Sequence, residues 1–269
     1  RVFLMWAELE RMAGAHGLEV IDTNGKMDVF VRDLQLGTTT RISVSSKAVQ
    51  SNGNSHHGQI TSDGNFVVFL SEATNLVSGD TNAATDVFVH DRRTGGTVRA
   101  SLNSSETQAN GACTSAFVSR DGRYVVFTSQ GTNLVSGDTN GVADVFVRDF
   151  WEGTTALVSL GSLGNWANGA CLGTWMSQDG RYVAFESSAS NLTDGDVNGA
   201  SDAFLRDLVE GTTTRLSLSA VGDPGNGSSS NPRLSPDRRR VVFESEATNL
   251  VAGDTNGVSD VFVRDLGTG

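Results

Sequence analysis

The segment GDTNGVADVFVRD, residues 137–149, decides the fold, because it recurs along the chain at one fixed spacing. Its first aspartate is Asp138. The equivalent aspartates of the other copies follow one another at intervals of 58 residues: Asp22, Asp80, Asp196 and Asp254. Five copies without insertion or deletion indicate a repeat protein, in which each unit buries its apolar surface against its neighbours. We therefore expect one domain over residues 1–269, with a divergent segment at residues 1–21.

The third copy shows how one repeat folds. Residues 115–119 are predicted to form a first strand, and a tight hairpin turn leads to a second strand at 124–129. A long polar loop precedes a third strand at 144–149, and a fourth strand covers residues 154–160. Short apolar runs between turns predict strands that are covered on both faces. Four antiparallel strands repeated around an axis form a blade, so we predict an all-β fold, a five-bladed β-propeller whose first and last blades are incomplete.

Strand alternation also predicts where the loops lie. Successive connections of an up-and-down blade alternate between the two faces of the disc, so the short turns, such as Asp63-Gly64, share one face. The acidic loop of the motif and a second long loop share the other face. This second loop carries an Asn-Gly pair in four places: Asn52-Gly53, Asn110-Gly111, Asn168-Gly169 and Asn226-Gly227. Long loops on a rigid scaffold commonly carry function. We expect a protein or glycan partner on this long-loop face.

The two ends of the sequence depart from the repeat. Met5, Leu9, Met12 and His16 stand at helical spacing, in a region where the register would place a second strand. No initiator Met or signal-peptide pattern is present, which is typical of a mature form or an excised fragment. The sequence reaches Gly269 before a fourth strand of the last blade. We consider three explanations for the incomplete last blade: an open edge, a longer parent chain, or oligomerisation through this blade.

Composition restricts the classes of partner. The net charge is −11, and the two aspartates of the five motifs contribute ten of these negative charges. This balance argues against nucleic-acid binding, which needs clustered Lys and Arg. No run of about 20 apolar residues exists, so no membrane span is expected. Cys113 and Cys171 share a register position with Ser55 and Ser229, which favours a slot for small side chains over a disulfide or a metal pair.

The spacing Asp138-x-Asn140-x-x-x-Asp144 places three side-chain oxygens in one tight loop. Calcium prefers six to eight oxygen ligands from carboxylates, amides, carbonyls and water. We therefore predict a structural calcium site of millimolar affinity in each repeat, since only two carboxylates recur. The alternative is that Asp and Asn merely cap the turn. The candidate ligands are Asp22, Asn24, Asp28, Asp80, Asn82, Asp86, Asp138, Asn140, Asp144, Asp196, Asn198, Asp202, Asp254, Asn256 and Asp260.

Three segments of the third repeat, residues 119–127, 133–141 and 144–149, together resemble the TolB-type, WD-like β-propeller repeats of bacterial proteins. The resemblance covers residues 22–269. It implies a propeller with binding or scaffolding roles, often outside the cytoplasm. It implies no particular activity, because function on such folds resides in individual sites.

Few residues break the repeat in a way that suggests chemistry. His56-His57 occurs in one copy and reads as a solvated loop, whereas Trp166, at the position of Gln108, is a candidate ligand contact. We expect a non-enzymatic, calcium-stabilised propeller that serves as an extracytoplasmic binding or scaffold module, secreted, at the cell surface or periplasmic. A lectin-like glycan binder is the alternative. A glycosidase-like enzyme would need a non-repeating pair of carboxylates on the axis, and we expect none.

Overall fold

The computed structural model describes residues 3–6 and 22–267, which form five antiparallel sheets and no helix. Within these residues no helix is therefore available to cross a membrane. The first sheet contains β1 (Phe3–Trp6), β2 (Phe30–Asp33) and β3 (Thr38–Arg41). The second sheet contains β4 (Ser55–Ile60), β5 (Phe66–Ser71), β6 (Asp86–Asp91) and β7 (Gly96–Arg99). The third contains β8 (Cys113–Val118), β9 (Tyr124–Ser129), β10 (Asp144–Asp149) and β11 (Thr154–Leu157). The fourth contains β12 (Cys171–Met176), β13 (Tyr182–Ser187), β14 (Asp202–Asp207) and β15 (Thr212–Arg215). The fifth contains β16 (Ser229–Leu234), β17 (Arg240–Ser245) and β18 (Asp260–Asp265).

Each sheet is one blade, with its strands hydrogen-bonded in chain order. In the third blade the predicted second and third strands are confirmed at both ends as β9 and β10. The fourth strand, β11, ends at Leu157 and not at residue 160 as predicted. The chain leaves the sheet there because Leu160 pairs instead with Trp166 in the loop that leads to the next blade.

The first blade is built differently from the sequence prediction. Helical spacing suggested a helix that included Met5, but residues 3–6 form β1 and pair antiparallel with β2. Trp6 pairs with Phe30 as Phe69 pairs with Phe88 in the second blade, so β1 takes the place of a second strand. Strand pairing outweighs a weak helical pattern here. The remaining positions of that pattern lie outside the described residues.

The apolar core lies between consecutive blades. In the third blade Val126 and Val145 are fully buried, and they pack against Met176, Val183 and Phe185 of the fourth blade. We call the surface of a blade that carries the counterparts of Val126 and Val145 its trailing face. The opposite surface, which carries the counterparts of Val183 and Phe185, is its leading face. Equivalent clusters join all four consecutive pairs of blades, so apolar burial holds the blades in sequence.

The two long loops lie side by side, which confirms that they share one face. The Asn168 backbone N–H donates to Asn191 Oδ1 over 3.0 Å, and the Ser190 N–H donates to Asn168 Oδ1 over 2.9 Å. Asn191 Nδ2 also donates to the carbonyl of Trp166 over 2.8 Å. The same pattern recurs with Asn52, Asn110 and Asn226. The long-loop face is therefore cross-linked in every repeat that carries an Asn-Gly pair.

The cysteine slot accepts small side chains, as predicted. Cys113 and Cys171 are both free and buried, and burial raises the pKa of each thiol to about 12. Cys171 Sγ lies 3.1 Å from Ser187 Oγ. In the fifth blade Ser229 Oγ makes the corresponding contact with Ser245 Oγ over 2.9 Å. Sulfur and hydroxyl are interchangeable here because each needs only one hydroxyl partner.

Candidate functional site

The asparagine of the motif shapes the acidic loop. In the third repeat Asn140 Oδ1 accepts a hydrogen bond from the Val142 N–H over 3.1 Å, and Asn140 Nδ2 donates to Asp144 Oδ2 over 2.7 Å. An Asn side chain that bonds the backbone two residues onward is ordinary turn chemistry. The donation to the second aspartate recurs in all five copies, at Asn24, Asn82, Asn140, Asn198 and Asn256.

The second aspartate of the motif fastens this loop to the end of the fourth strand. Asp144 is completely buried, and its Oδ1 accepts a hydrogen bond from Ser159 Oγ over 2.7 Å. Ser159 Oγ in turn accepts from the Val145 N–H over 3.2 Å. The same aspartate–serine pairs occur in the first, second and fourth repeats: Asp28 with Ser43, Asp86 with Ser101, and Asp202 with Ser217. These aspartates therefore anchor the loop through side-chain donors, and the asparagine makes the hydrogen bond to the backbone of the turn.

An arginine on the fourth strand accompanies the two aspartates in three repeats. In the fourth repeat Arg215 Nη2 lies 3.3 Å from Asp196 Oδ2, and Arg215 Nε lies 3.7 Å from Asp202 Oδ2. All three side chains are at most 4% exposed. Burial raises the pKa of Asp202, while the Ser217 hydrogen bond and the Arg215 charge oppose that shift. Arg41 and Arg99 hold the same position in the first and second repeats.

The third repeat lacks this arginine, because Leu157 occupies its position. Asp138 is only 9% exposed and Asp144 is fully buried. Asp138 Oδ1 is buried and has no hydrogen-bond partner. Burial raises the pKa of both carboxyls, and the charge of Asp144 raises that of Asp138 further. Two adjacent buried carboxylates without a nearby positive charge are unfavourable when both are ionised.

A second polar partner is also replaced in this repeat. In the second repeat Gln108 Oε1 accepts a hydrogen bond from Arg99 Nη1, so the glutamine binds the same guanidinium that pairs with Asp80 and Asp86. In the third repeat Trp166 and Leu157 stand at these two positions. Trp166 is half-buried, and its role as a ligand contact stays a prediction. The third repeat therefore has two apolar side chains at the positions where the second repeat has Arg99 and Gln108.

The oxygens that could hold a cation in the third repeat are the carboxylates of Asp138 and Asp144. Asn140 Oδ1 and both Asp144 oxygens already accept a hydrogen bond within the repeat, whereas Asp138 Oδ1 accepts none, so a cation would have to share the Asp144 oxygens with Ser159 and Asn140. Among the described residues, no group of three or more His, Cys, Asp or Glu side chains is arranged to hold a metal. A cation between the two aspartates would therefore take its other ligands from backbone carbonyls and water, which calcium accepts.

The inner strands of the second to fifth blades surround an axial cavity of about 360 Å³. Asn231 lines it, and two glutamates that share one register position in the fourth and fifth blades reach this residue. Glu186 Oε2 accepts from the Asn231 N–H over 2.9 Å, and Glu244 Oε2 accepts from Asn231 Nδ2 over 3.2 Å. Leu70 and Thr128 hold their register position in the other blades. Both glutamates are engaged with the inner strand of the fifth blade and neither lines the cavity, so the expected absence of a non-repeating carboxylate pair on the axis stays a prediction.

The histidine pair lies on an inner strand and not in a loop as expected. His56 and His57 belong to β4, and their Nδ1 atoms lie 2.7 Å apart on the exposed side of the strand. His57 adopts a left-handed φ of 50° at a bulge in this strand and lines the axial cavity. Burial and the neighbouring His57 lower the pKa of His56. Among the described residues this pair belongs to no group of three or more His, Cys, Asp or Glu side chains that could hold a metal.

Comparison with known proteins agrees with the strand arrangement. Neither a family sequence model nor a curated protein sequence matches the chain. Among solved structures, the putative TolB from Agrobacterium tumefaciens is 17% identical, with a TM-score of 0.53 over 92% of this chain and 73% of that protein. The fold is a β-propeller, similar to that of TolB.

Other propellers with a similar fold carry different functions. The β-propeller domain of the Trilobed protease from Pyrococcus furiosus, described as having an open velcro topology, is 10% identical, with a TM-score of 0.51 over 91% of this chain and 63% of that one. An oligogalacturonate lyase in complex with manganese is 15% identical, with a TM-score of 0.52 over 88% of this chain and 54% of the lyase. At these identities the likeness shows the propeller fold alone, and it selects no activity.

Proposed function

We propose that the chain is a non-enzymatic, extracytoplasmic propeller module that offers its long-loop face to a protein or glycan and is stabilised by calcium between Asp138 and Asp144. The observation that carries the metal part is the buried aspartate pair of the third repeat, where Leu157 replaces the arginine of its neighbours. The calcium sites predicted in the other repeats compete with an arginine wherever Arg41, Arg99 or Arg215 lies between the carboxylates.

The chemistry of the pair favours a hard divalent cation. At neutral pH two adjacent carboxylates require a counter-charge or a shared proton. Calcium accepts carboxylate, carbonyl and water oxygens in flexible geometry, and a site with two carboxylates belongs among the weaker, millimolar sites. Such an affinity suits an extracellular setting, where calcium is abundant, and this supports the proposed location.

A groove at the rim supports the binding role. It encloses about 1110 Å³ between the first three blades and is lined by residues of both kinds of long loop, among them Lys47, Leu76 and Gln108. Val49 and Val98 also line it and are about half exposed, at 52% and 49%. Apolar side chains beside convergent polar groups are typical of binding sites. The groove therefore has both apolar and polar side chains, and a protein or glycan partner can contact both.

We expect calcium to raise the melting temperature. At a concentration ten times the dissociation constant, an ion that binds only the folded chain stabilises it by about 1.4 kcal/mol. For a chain of this size that corresponds to a shift of about 2.5 °C. The measurement is thermal unfolding in excess chelator and in millimolar calcium, with magnesium as the ion control.

The matched control is the double variant Leu157→Arg, Trp166→Gln, which restores the two residues that the second repeat has at these positions. It should be insensitive to calcium and as stable in chelator as the wild type is in calcium. A wild-type melting temperature that does not differ between chelator and calcium would contradict the metal site. The binding role does not depend on that result, and it is tested separately by glycan and protein arrays with Trp166→Ala.

The aspartate pair also predicts a pH dependence without calcium. Burial raises the folded-state pKa of Asp138 and Asp144. Their contribution to stability is therefore fully present below the unfolded-state pKa, about 3.9, and is lost as the pH rises through the raised folded-state values. Asp138→Asn removes one titrating group. In chelator, the free energy of unfolding of Asp138→Asn minus that of wild type should increase between about pH 4 and pH 7. Urea unfolding across this range measures that difference in free energy. If the difference did not change with pH, Asp138 and Asp144 would not be two uncompensated charges in the folded chain.

A further inference from the structure

The fifth blade exposes the apolar surface that the other blades bury. Val242, Val261 and Val263 on its trailing face are 41%, 69% and 63% exposed. The residues equivalent to Val242 and Val261 in the second to fourth blades are all fully buried: Val68, Val87, Val126, Val145, Ala184 and Ala203. The sequence at these positions is as apolar in the fifth blade as in the others. The surface therefore has the composition of a buried interface, and within residues 22–267 it stays exposed.

The acidic loop of the fifth blade also lacks a contact that the other repeats have. Asn140 Nδ2 donates to the carbonyl of Ala167, on the connection that enters the next blade, over 3.3 Å. Asn24, Asn82 and Asn198 make the same contact with the next connection. Among the described residues Asn256 donates only to Asp260. A groove of about 510 Å³ lies at this place, lined by Asn256, Asp260 and Val261.

We propose that the trailing face of the fifth blade docks the leading face of a further blade of this same repeat type. Four interfaces within the chain already have this composition, each built from trailing-face valine or alanine against valine and phenylalanine of the next leading face. The connection that enters such a blade would also supply the carbonyl that Asn256 lacks. One occupant thus accounts for both the exposed valines and the open groove.

A second copy of this chain fits the surface less well. A leading face is made partly by the first strand of its blade, where Met176 packs in the fourth blade. Among the described residues the first blade has no counterpart of that strand, because β1 occupies the second position. The first blade of another copy would therefore leave part of the trailing face uncovered.

The experiment extends the chain after Gly269 with a copy of residues 212–269, which restores the register and supplies a fourth strand, a connection and three strands of a further blade. The reporter is Val261→Cys, because the residues equivalent to Val261 are fully buried in the second to fourth blades and its thiol is exposed where Cys113 and Cys171 are buried. We expect iodoacetamide to modify this thiol at least tenfold more slowly in the extended chain than in the unextended one. The extension should also resist proteolysis.

The control carries Val242→Lys in the extended chain, because this side chain is 41% exposed and its replacement should not disturb the unextended fold. In this control variant the protease should cleave the added repeat readily, and the reporter thiol should react as fast as it does in the chain without the extension. Equal labelling rates with and without the extension would overturn the proposal. Labelling of the unextended chain that slows as protein concentration rises would also overturn it, in favour of a second copy.

Discussion

Replacing Asp202 by asparagine is expected to lower the free energy of unfolding by about 3 kcal/mol. Asparagine has the shape of aspartate but only one acceptor oxygen, so it keeps the hydrogen bond from Ser217 or the one from Asn198, and the equivalent variant of the third repeat loses the same bond. Arg215 would then face only Asp196, at 3.3 Å, while remaining 4% exposed. Loss of one partner of a buried ion pair is costly, because the other charge stays desolvated.

The same substitution in the preceding repeat is expected to have the opposite sign. Asp144 has the serine and asparagine partners of Asp202 but no arginine, since Leu157 takes its place. Asp144→Asn removes one of two buried like charges, so without calcium it should be neutral or stabilising at pH 7. Urea unfolding of both variants in chelator makes the comparison. If both variants lost the same stability, the aspartates would act only as hydrogen-bond acceptors, and arginine pairing would not explain the cluster.

The sequence predicts the repeated parts of this molecule well, because the repeat is a physical constraint. A strict spacing with alternating turns and apolar runs leaves few architectures, and β9 and β10 begin and end where expected. The limits of β11 were missed since a bridge between Leu160 and Trp166 draws the chain out of the sheet. The strand at residues 3–6 was missed because only its pairing with β2 distinguishes it from a helical pattern.

The arginines of the acidic cluster were missed for a related reason. Arg215 stands 13 residues after Asp202, on the next strand, and the motif was read as one contiguous loop. Only the pairing of β14 with β15 brings the guanidinium over the loop. The signal was present, because arginine recurs at this register position in three repeats and leucine interrupts it once, at Leu157. Interruptions of a repeat are thus more informative about chemistry than the repeated residues themselves.

A methyl group added at Gly169 is expected to destabilise the propeller by about 3 kcal/mol, at the upper end of the usual cost of overpacking. An ideal Cβ on Gly169 would lie 2.7 Å from the Ala189 backbone nitrogen and 2.7 Å from the Ser188 carbonyl carbon. Both neighbours are backbone atoms at the point where the two long loops are hydrogen-bonded, through Asn168 and Ser190. Gly169→Ala therefore cannot be relieved by a side-chain rotation, and either the loops separate or the blade shifts.

Gly96→Ala is the matched control, since neither glycine has a left-handed φ. A Cβ at Gly96 would meet only the Thr94 hydroxyl, at 3.3 Å, and that side chain can rotate away. In a strand, alanine in place of glycine can even stabilise slightly, by up to about 1 kcal/mol. Urea unfolding of both variants gives the comparison. If Gly169→Ala were as mild as Gly96→Ala, the long loops would be able to move apart freely, and a rigid long-loop face could not be the basis for partner binding. A large loss confined to Gly169→Ala would mean that this face is held by backbone contact as well as by the asparagine hydrogen bonds.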